Sequence, residues 1–490
     1  MMSSKSKTAE NPDEARKPEP PEAGQARKKV LIITYYWPPS GGAGVQRFLK
    51  FVKYFRDFGV DPVVLTCKNP TYPILDPTLS ADIPANIPVY RARTIEPFGI
   101  YSRIARTTPD QAANPATILD IRNLNLPQRM ARWLRANIFI PDARIGWVPF
   151  ALKKARKLIR QHDIDTVVTT GPPHSTHFIG LRLKRGTAIR WIADFRDPWT
   201  DIHYNRALPR TAFTRRCDAS MEIKVLREAD EITVTAPGTG QYFSHKVKRA
   251  YHTIPNGFDP DDFKSLPGQN KPQSNTDVTV PGLTPLFCIR HAGSITETSV
   301  PVNLLRVLSR IPESDIRIEF IGSTHPDVQK YAGKFGLGRR IAIHPYVPHA
   351  RAIELMQESD LNLVVVHRSD DSRILIPGKI YDYLKAGKPI MVIGPPDGDA
   401  AAIVQQCQIG MTFDYEADTA IEAWLKLLLE AKSSSGSEEA VAPDSKAISK
   451  FSRPSLTHRL SALIYNRPLP ELSIKLPSDQ QETLDNPPEI

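Results

Sequence analysis

Short runs of apolar residues alternate along this chain with stretches of helical spacing. Val30, Leu31, Ile32 and Ile33 form an uninterrupted apolar run, the pattern of a strand buried on both faces of a parallel sheet. A glycine-rich turn over 38–47 follows. Val45, Phe48, Leu49, Val52 and Phe55 then recur at helical spacing, Gly59 stops the helix, and 62–67 reads as a second strand. Strand–helix–strand of this length is a βαβ unit with a right-handed crossover. The alternation continues with a helix at 149–161, a strand at 165–171, a helix at 175–184, a strand at 188–195, a helix at 217–229 and a strand at 231–236. The segment 251–263 closes this half. A second series has strands at 285–293, 316–322, 341–347, 361–367 and 389–395, with helices at 303–311, 350–359 and 379–387. A last helix over 449–466 carries Leu456, Leu460 and Leu463 on one side.

The pattern predicts an α/β protein of two consecutive doubly wound halves. The expected divisions are a disordered tail over 1–27, an N-terminal Rossmann-like domain over 28–263 and a linker over 264–283. A C-terminal Rossmann-like domain follows over 284–448, then the final helix at 449–466 and a disordered tail over 467–490. At 490 residues the chain exceeds what a single core holds.

Composition alters this picture little. Apolar residues make up 41% and charged residues 24%, as in an ordinary soluble protein. No apolar run is long enough to span a bilayer and the N-terminus has no apolar signal core, so a cytoplasmic location is expected. Cys67, Cys217, Cys288 and Cys407 are widely spaced and suggest neither a zinc site nor a disulfide framework.

Charge is more informative. The net charge is +11, and residues 101–160 hold twelve Lys or Arg against three acids. A solvated helical face and attraction to an anionic membrane or lipid-phosphate acceptor both fit this segment. Nucleic acid fits less well, since no known binding motif accompanies the charge.

In open α/β sheets ligands bind beyond the carboxyl ends of the strands, so residues just after strands are the candidates. Gly41 and Gly42 lie in the turn before the first helix, where backbone N–H groups can approach a phosphate, although a plain tight turn would look the same. The sequence Gly171-Pro172-Pro173-His174-Ser175-Thr176-His177 follows another strand, and His174 is its better candidate for a hydrogen bond to a sugar or phosphate. Asp194, Arg196, Asp197 and Trp199 lie within six residues, a good binding loop, with a structural Arg–Asp pair as the plainer alternative. In the second half Gly293 and Ser294 end one strand and Gly322 the next. Lys379 and Asp382 share a helical face near a helix start, suited to a diphosphate and a ribose respectively, or forming only a surface pair.

The segments WPPSGGAGVQR, TTGPPHSTH, DFRDPW, IPNGFD, HAGS, YVPH and IPGKIYDYLKAGKPI, in this order, resemble the family 4 retaining glycosyltransferases, particularly bacterial members that build surface polysaccharides. The resemblance covers about residues 28–466. It implies the GT-B fold, two Rossmann-like domains facing across a cleft, with the nucleotide-sugar on the C-terminal domain, the acceptor on the N-terminal one and the final helix crossing back. By the resemblance Asp382 stands at the second Glu of the family's E-x7-E motif and binds ribose. The first Glu falls at Ile374, which cannot contact the donor sugar, and the loop after Gly293 lacks the family's cation. Lys379, or Arg373, then takes the phosphate role.

The expected activity is glycosyl transfer with retention from a nucleoside-diphosphate sugar to an acceptor hydroxyl, in cell-surface polysaccharide or glycolipid synthesis. No metal or other cofactor is expected. His174, Asp194, Arg196 and Lys379 are the expected catalytic groups, with Asp197 and Trp199 on the acceptor side. The expected partners are the donor, a lipid-linked sugar or polysaccharide and an anionic membrane surface, without nucleic acid. A nucleotide-sugar 2-epimerase of the same fold, or a non-catalytic sugar-nucleotide binder, are the alternatives.

Overall fold

The computed structural model describes residues 27–72, 75–96, 126–264, 287–312, 315–433, 442–472 and 474. The tail expected over 1–27 lies outside them except for Arg27. The linker expected over 264–283 does so except for Lys264, as does most of the tail expected over 467–490. The described residues form two compact units. One runs to Asn256 and takes in Leu456–Glu471 as well; the other holds Gly257–Ser455.

The first unit is built on a seven-stranded parallel sheet. Its strands are β1 (Lys28–Ile33), β2 (Val60–Cys67), β3 (Val89–Ala92), β4 (Thr166–Gly171), β5 (Arg190–Phe195), β6 (Glu231–Val234) and β7 (His252–Thr253). They lie in the order β3-β2-β1-β4-β5-β6-β7. The run 30–33 is fully buried on both faces, as its continuous apolar character demands. The longer helices are α1 (Ala43–Tyr54), α2 (Leu126–Ile138), α3 (Val148–His162), α4 (His177–Gly186), α5 (Ala212–Glu228) and α6 (Pro237–Lys246). Helix α3 shows how sequence spacing becomes packing. Val148, Ala151, Ala155 and Leu158 are buried against the sheet, while Lys153, Arg156, Lys157 and Arg160 are exposed.

The second unit repeats the plan with β8 (Phe287–Ala292), β9 (Ile316–Ile321), β10 (Ile341–His344), β11 (Leu361–Val365), β12 (Ile390–Ile393) and β13 (Gly410–Phe413). Their order is β10-β9-β8-β11-β12-β13, all parallel. Around them lie α7 (Val302–Leu308), α8 (Asp327–Lys334), α9 (His349–Glu358), α10 (Lys379–Ala386), α11 (Asp399–Gln406) and α12 (Asp418–Ser433). Both sheets reverse their order beside the first strand, between β1 and β4 and between β8 and β11. That reversal is the Rossmann pattern, and it opens a crevice at the carboxyl ends of those strands.

The last helix, α13 (Arg453–Ile464), begins with the second unit, where Arg453 N donates to Phe258 O. From Leu456 on the chain belongs to the first unit. There His458 stacks on Phe58 with ring centroids 5.2 Å apart, and Tyr465 Oη donates to Gly59 O at 2.6 Å.

Several elements lie outside the sequence pattern. Ala400 to Val404 of α11 are all buried, so that helix has no polar face to reveal its period. Strand β3 is four residues at a sheet edge, too short to alternate visibly. Helix α12 carries Ile421, Leu425 and Leu428 at helical spacing, all buried, and is absent from the helices expected above.

Candidate active site

In the first unit the crevice between β1 and β4 is organised by two buried arginines. Arg47 sits on the inward face of α1, fully buried. Its Nη2 donates to Asp194 Oδ1 at 2.7 Å, its Nε to Oδ2 at 3.1 Å, and its Nη1 to Pro255 O at 2.9 Å. Thr170 and Thr233 hydroxyls, from β4 and β6, donate to the remaining positions of the same carboxylate at 2.8 and 2.7 Å. Burial by itself would raise the Asp194 carboxyl, but Arg47 and these hydrogen bonds hold it below the usual carboxylate range. Asp194, expected to be catalytic, is therefore a closed structural anion that ties α1 to β4, β5 and β6.

Arg196, also expected to be catalytic, is spent on backbone. Its Nη1 donates to Gly44 O at 2.6 Å, its Nε to Gly171 O at 3.2 Å, and its Nη2 to Pro172 O. It clasps the first turn of α1, just after Gly41 and Gly42, to the end of β4 and the loop that follows it. A side chain at Gly44 would run into the guanidinium. Asp197 is half-buried beside it. Trp199 corrects the acceptor-side expectation: it is fully buried, its Nε1 donates to Asp218 Oδ1 at 2.9 Å, and it forms a wall rather than a surface.

That wall supports His174. The two rings stack with centroids 4.9 Å apart and planes within 7°. His174 is buried, and among the described residues neither of its ring nitrogens has a hydrogen-bond partner. Burial, reinforced by His177, Arg196 and Arg210, drives its pKa well below 6.5, so the ring is neutral. The loop that carries it is pinned from behind. Ser175 N and Oγ both donate to Asp142, each at 2.8 Å. His177 is committed through Nδ1 to the Thr169 hydroxyl at 2.9 Å, and that hydroxyl accepts from Trp191 Nε1. Nε2 of His177, like both ring nitrogens of His174, is buried with no hydrogen-bond partner among the described residues, so His177 differs only in having its other nitrogen committed. Arg47, Asp142 and Thr170 were not distinguishable in the sequence, since an arginine in an amphipathic helix reads as a solvent-facing residue.

In the second unit the crevice between β8 and β11 is floored by glycine and roofed by a lysine. Gly293 has φ 125° and Gly322 φ 122°, both in the left-handed region that favours glycine. A Cβ on Gly293 would lie 2.8 Å from Lys379 Nζ, and one on Gly322 would lie 2.9 Å from Gly293 O. The structure thus brings Gly293, Gly322 and Lys379 together. Helix α10 is anchored there by Tyr383, whose hydroxyl accepts from Ala292 N at 2.9 Å. Lys379 Nζ is bonded to His291 Nε2 at 2.7 Å, and burial lowers the lysine pKa to about 7. His291 is fully buried, and its Nδ1 donates to Leu363 O at 3.0 Å. It belongs to the HAGS segment that carries the resemblance, but only Gly293 and Ser294 of that segment are expected at the donor, because a histidine inside a strand reads as core.

The other expected donor residues lie around this pair. Ser294 is exposed directly after Gly293, and Asp382 is half-buried one helical turn beyond Lys379. Arg373 is more than half exposed and paired with Asp397 at 3.1 Å, so Lys379 rather than Arg373 is the cation at the glycine floor. Ile374 ends a short 3-10 turn and offers no polar atom from its side chain. Among the described residues no cluster of three or more His, Cys, Asp or Glu could hold a metal ion, and no helix is long and apolar enough to cross a membrane.

Two Rossmann-like sheets in succession, each with its candidate residues at the strand reversal, are the architecture of the GT-B fold. Residues 40–262 match the family model described as Glycosyltransferase Family 4. The first unit is accordingly a family 4 glycosyltransferase domain, and the chain is a glycosyltransferase. No curated protein sequence matches it significantly.

Solved structures resemble it over almost its whole length. The sucrose-phosphate synthase of Thermosynechococcus elongatus has a TM-score of 0.56 and 12% identity, covering 90% of this chain and 99% of its own. Anabaena HepE, solved with UDP-glucose, has a TM-score of 0.58 and 13% identity, covering 89% of this chain and 99% of its own. A putative UDP-N-acetylglucosamine 2-epimerase from Listeria monocytogenes has a TM-score of 0.50 and 11% identity, with 90% and 96% covered. At these identities the likeness speaks for the fold.

Proposed function

We propose that the protein transfers a sugar from a nucleoside-diphosphate sugar to an acceptor hydroxyl with retention of configuration, without a resident metal. The observation that carries this reading is the Lys379 ammonium over the Gly293–Gly322 floor. A diphosphate leaving group gains negative charge as the glycosidic bond breaks, and a fixed cation where that charge grows lowers the barrier. Glycines there let the diphosphate approach the backbone. Asp382 accepts from the ribose hydroxyls. In the first unit His174, neutral and unpartnered, gives or takes one hydrogen bond with a sugar hydroxyl. Asp194 and Arg196 act only by holding that loop in place.

The fold alone would suit a 2-epimerase equally, since one shares it. The family match favours transfer. Incubation with a panel of UDP-, ADP- and GDP-sugars decides between them. Release of free nucleoside diphosphate, accelerated by an acceptor, supports transfer. An epimerised sugar with no release supports the alternative, and binding without turnover supports a non-catalytic binder.

The acceptor is proposed to be lipid-linked and met at an anionic membrane surface, where cell-surface polysaccharide is assembled. What supports this is a groove of about 510 Å3 beside β3, lined by Arg93, Phe150, Lys153, Lys154, Lys157 and Arg160. Among the described residues none of its five cations forms an ion pair. Part of the basic segment, 101–125, lies outside the described residues. Within α2, Arg132 turns inward to donate to Ala207 O at 2.7 Å, while Trp133 and Ile138 are exposed. The proposed lipid-facing set is therefore Arg93 with Lys153, Lys154, Lys157 and Arg160 of α3, rather than every arginine of the segment.

A further inference from the structure

We propose that His291 is a positioning residue for the donor diphosphate, holding the Lys379 ammonium over the Gly293 turn without neutralising it. This rests on the reading that Lys379 meets the diphosphate. The geometry leaves the imidazole little choice. Nδ1 faces the carbonyl of Leu363 at 3.0 Å, and a carbonyl only accepts, so Nδ1 carries the proton. Nε2 then presents a lone pair, and Lys379 Nζ lies 2.7 Å away as its donor. Packing holds the ring in this arrangement. It is fully buried, with Phe320 of β9 6.1 Å from it.

A neutral acceptor is the distinctive choice. The groups facing His291 are Lys379 from α10, His367 beyond β11, the Leu363 carbonyl of β11 and the backbone of Ser294. Both charged or titratable neighbours are bases. Among the described residues Lys379 makes no ion pair. A carboxylate in the place of His291 would aim the amine equally well, but it would compete with the diphosphate for its charge. Imidazole fixes direction and leaves the whole charge for the ligand.

A consequence is that donor binding and proton uptake are linked. Burial lowers the free lysine to about pH 7, whereas a bound diphosphate favours the ammonium. Above pH 7 the unliganded amine is largely neutral, so binding must take up a proton, and affinity falls about tenfold per pH unit. Below pH 7 the amine is already charged and this dependence vanishes. Loss of the His291 acceptor removes a hydrogen bond to the charged form, which lowers the lysine pKa further and moves the fall in affinity to lower pH.

The test is calorimetric titration of the full chain with UDP, or with whichever of ADP and GDP the donor panel selects. It runs from pH 5.5 to 9 in buffers of differing ionisation enthalpy. His291→Gln and His291→Asn are the decisive pair. Glutamine reaches as far as Nε2 and can still accept from Lys379. Asparagine reaches only as far as Nδ1, so it keeps a polar group for Leu363 but cannot touch the amine. The expected result is near-native affinity and pH onset for His291→Gln. For His291→Asn, affinity drops at least fivefold at pH 7 and the onset moves to lower pH. Lys379→Met should bind weakly with a flat pH profile. Native affinity and onset in His291→Asn, with a flat Lys379→Met, would overturn the role of His291 alone. Native binding by Lys379→Met would overturn the phosphate assignment and this inference with it.

Discussion

Arg47 and Asp194 meet as a fully buried bidentate pair, with Nη2 2.7 Å from Oδ1 and Nε 3.1 Å from Oδ2. Breaking such a pair by removing one partner strands the other charge and costs about 3–5 kcal/mol. Arg47→Met should therefore lower the stability of the first unit by about that amount in denaturant unfolding. Asp194→Asn, which keeps the shape, should also destabilise. An Asp194→Asn protein of native stability and vanishing turnover would mean that the carboxylate takes part in the chemistry after all.

Gly293→Ala should impair donor binding more than folding. The positive φ costs a side chain about 1–3 kcal/mol, and the new methyl meets the Lys379 amine. Donor affinity should drop by an order of magnitude or more while the protein stays folded. Native affinity with weakened folding alone would show that the glycine serves the turn and nothing else.

Asp382→Ala should weaken nucleotide-sugar binding by about 1.5–3 kcal/mol, the worth of a hydrogen bond to a charged group. The melting temperature should hold steady. Calorimetry with the intact donor and with its 2′-deoxyribose analogue checks the assignment, for the analogue should lose less when Asp382 is removed.

The buried histidines predict acid lability. Burial, partly offset by Asp194, lowers His177 to about 3, against about 6.5 in an unfolded chain. Between those values the unfolded state binds the extra proton, so stability falls as pH drops from about 6.5 toward 3. Thermal melts over that range should show a steeper decline in the wild type than in His177→Phe. Parallel declines would locate the acid sensitivity elsewhere.

The basic groove predicts salt-sensitive membrane attachment. Each cation near an anionic surface contributes about 1 kcal/mol, screened over about 8 Å at physiological ionic strength. The protein should sediment with vesicles containing phosphatidylglycerol at low salt and be released at high salt. Replacing Arg93, Lys153, Lys154, Lys157 and Arg160 with Gln should abolish sedimentation and leave the melting temperature unchanged. A wild type that ignores such vesicles at low salt leaves the cations as a solvated face and makes a soluble acceptor the better reading.

The sequence by itself determined the architecture and the addresses of the candidate residues. The run 30–33 could only be a strand buried on both faces, and the glycines at 41, 42, 293 and 322 marked strand ends because apolar period and turn chemistry are local properties. What those residues touch was decided by tertiary structure alone. Asp194 reads as a free carboxylate until Arg47, 147 residues away, closes on it. Trp199 reads as a binding-loop indole until Asp218 and His174 bury it. Lys379 reads as a diphosphate cation or half of a surface pair until His291, from a strand 88 residues earlier, accepts from its amine. Charge, exposure and proton affinity depend on which groups lie within a few ångströms, and the chain sets those neighbours only by folding.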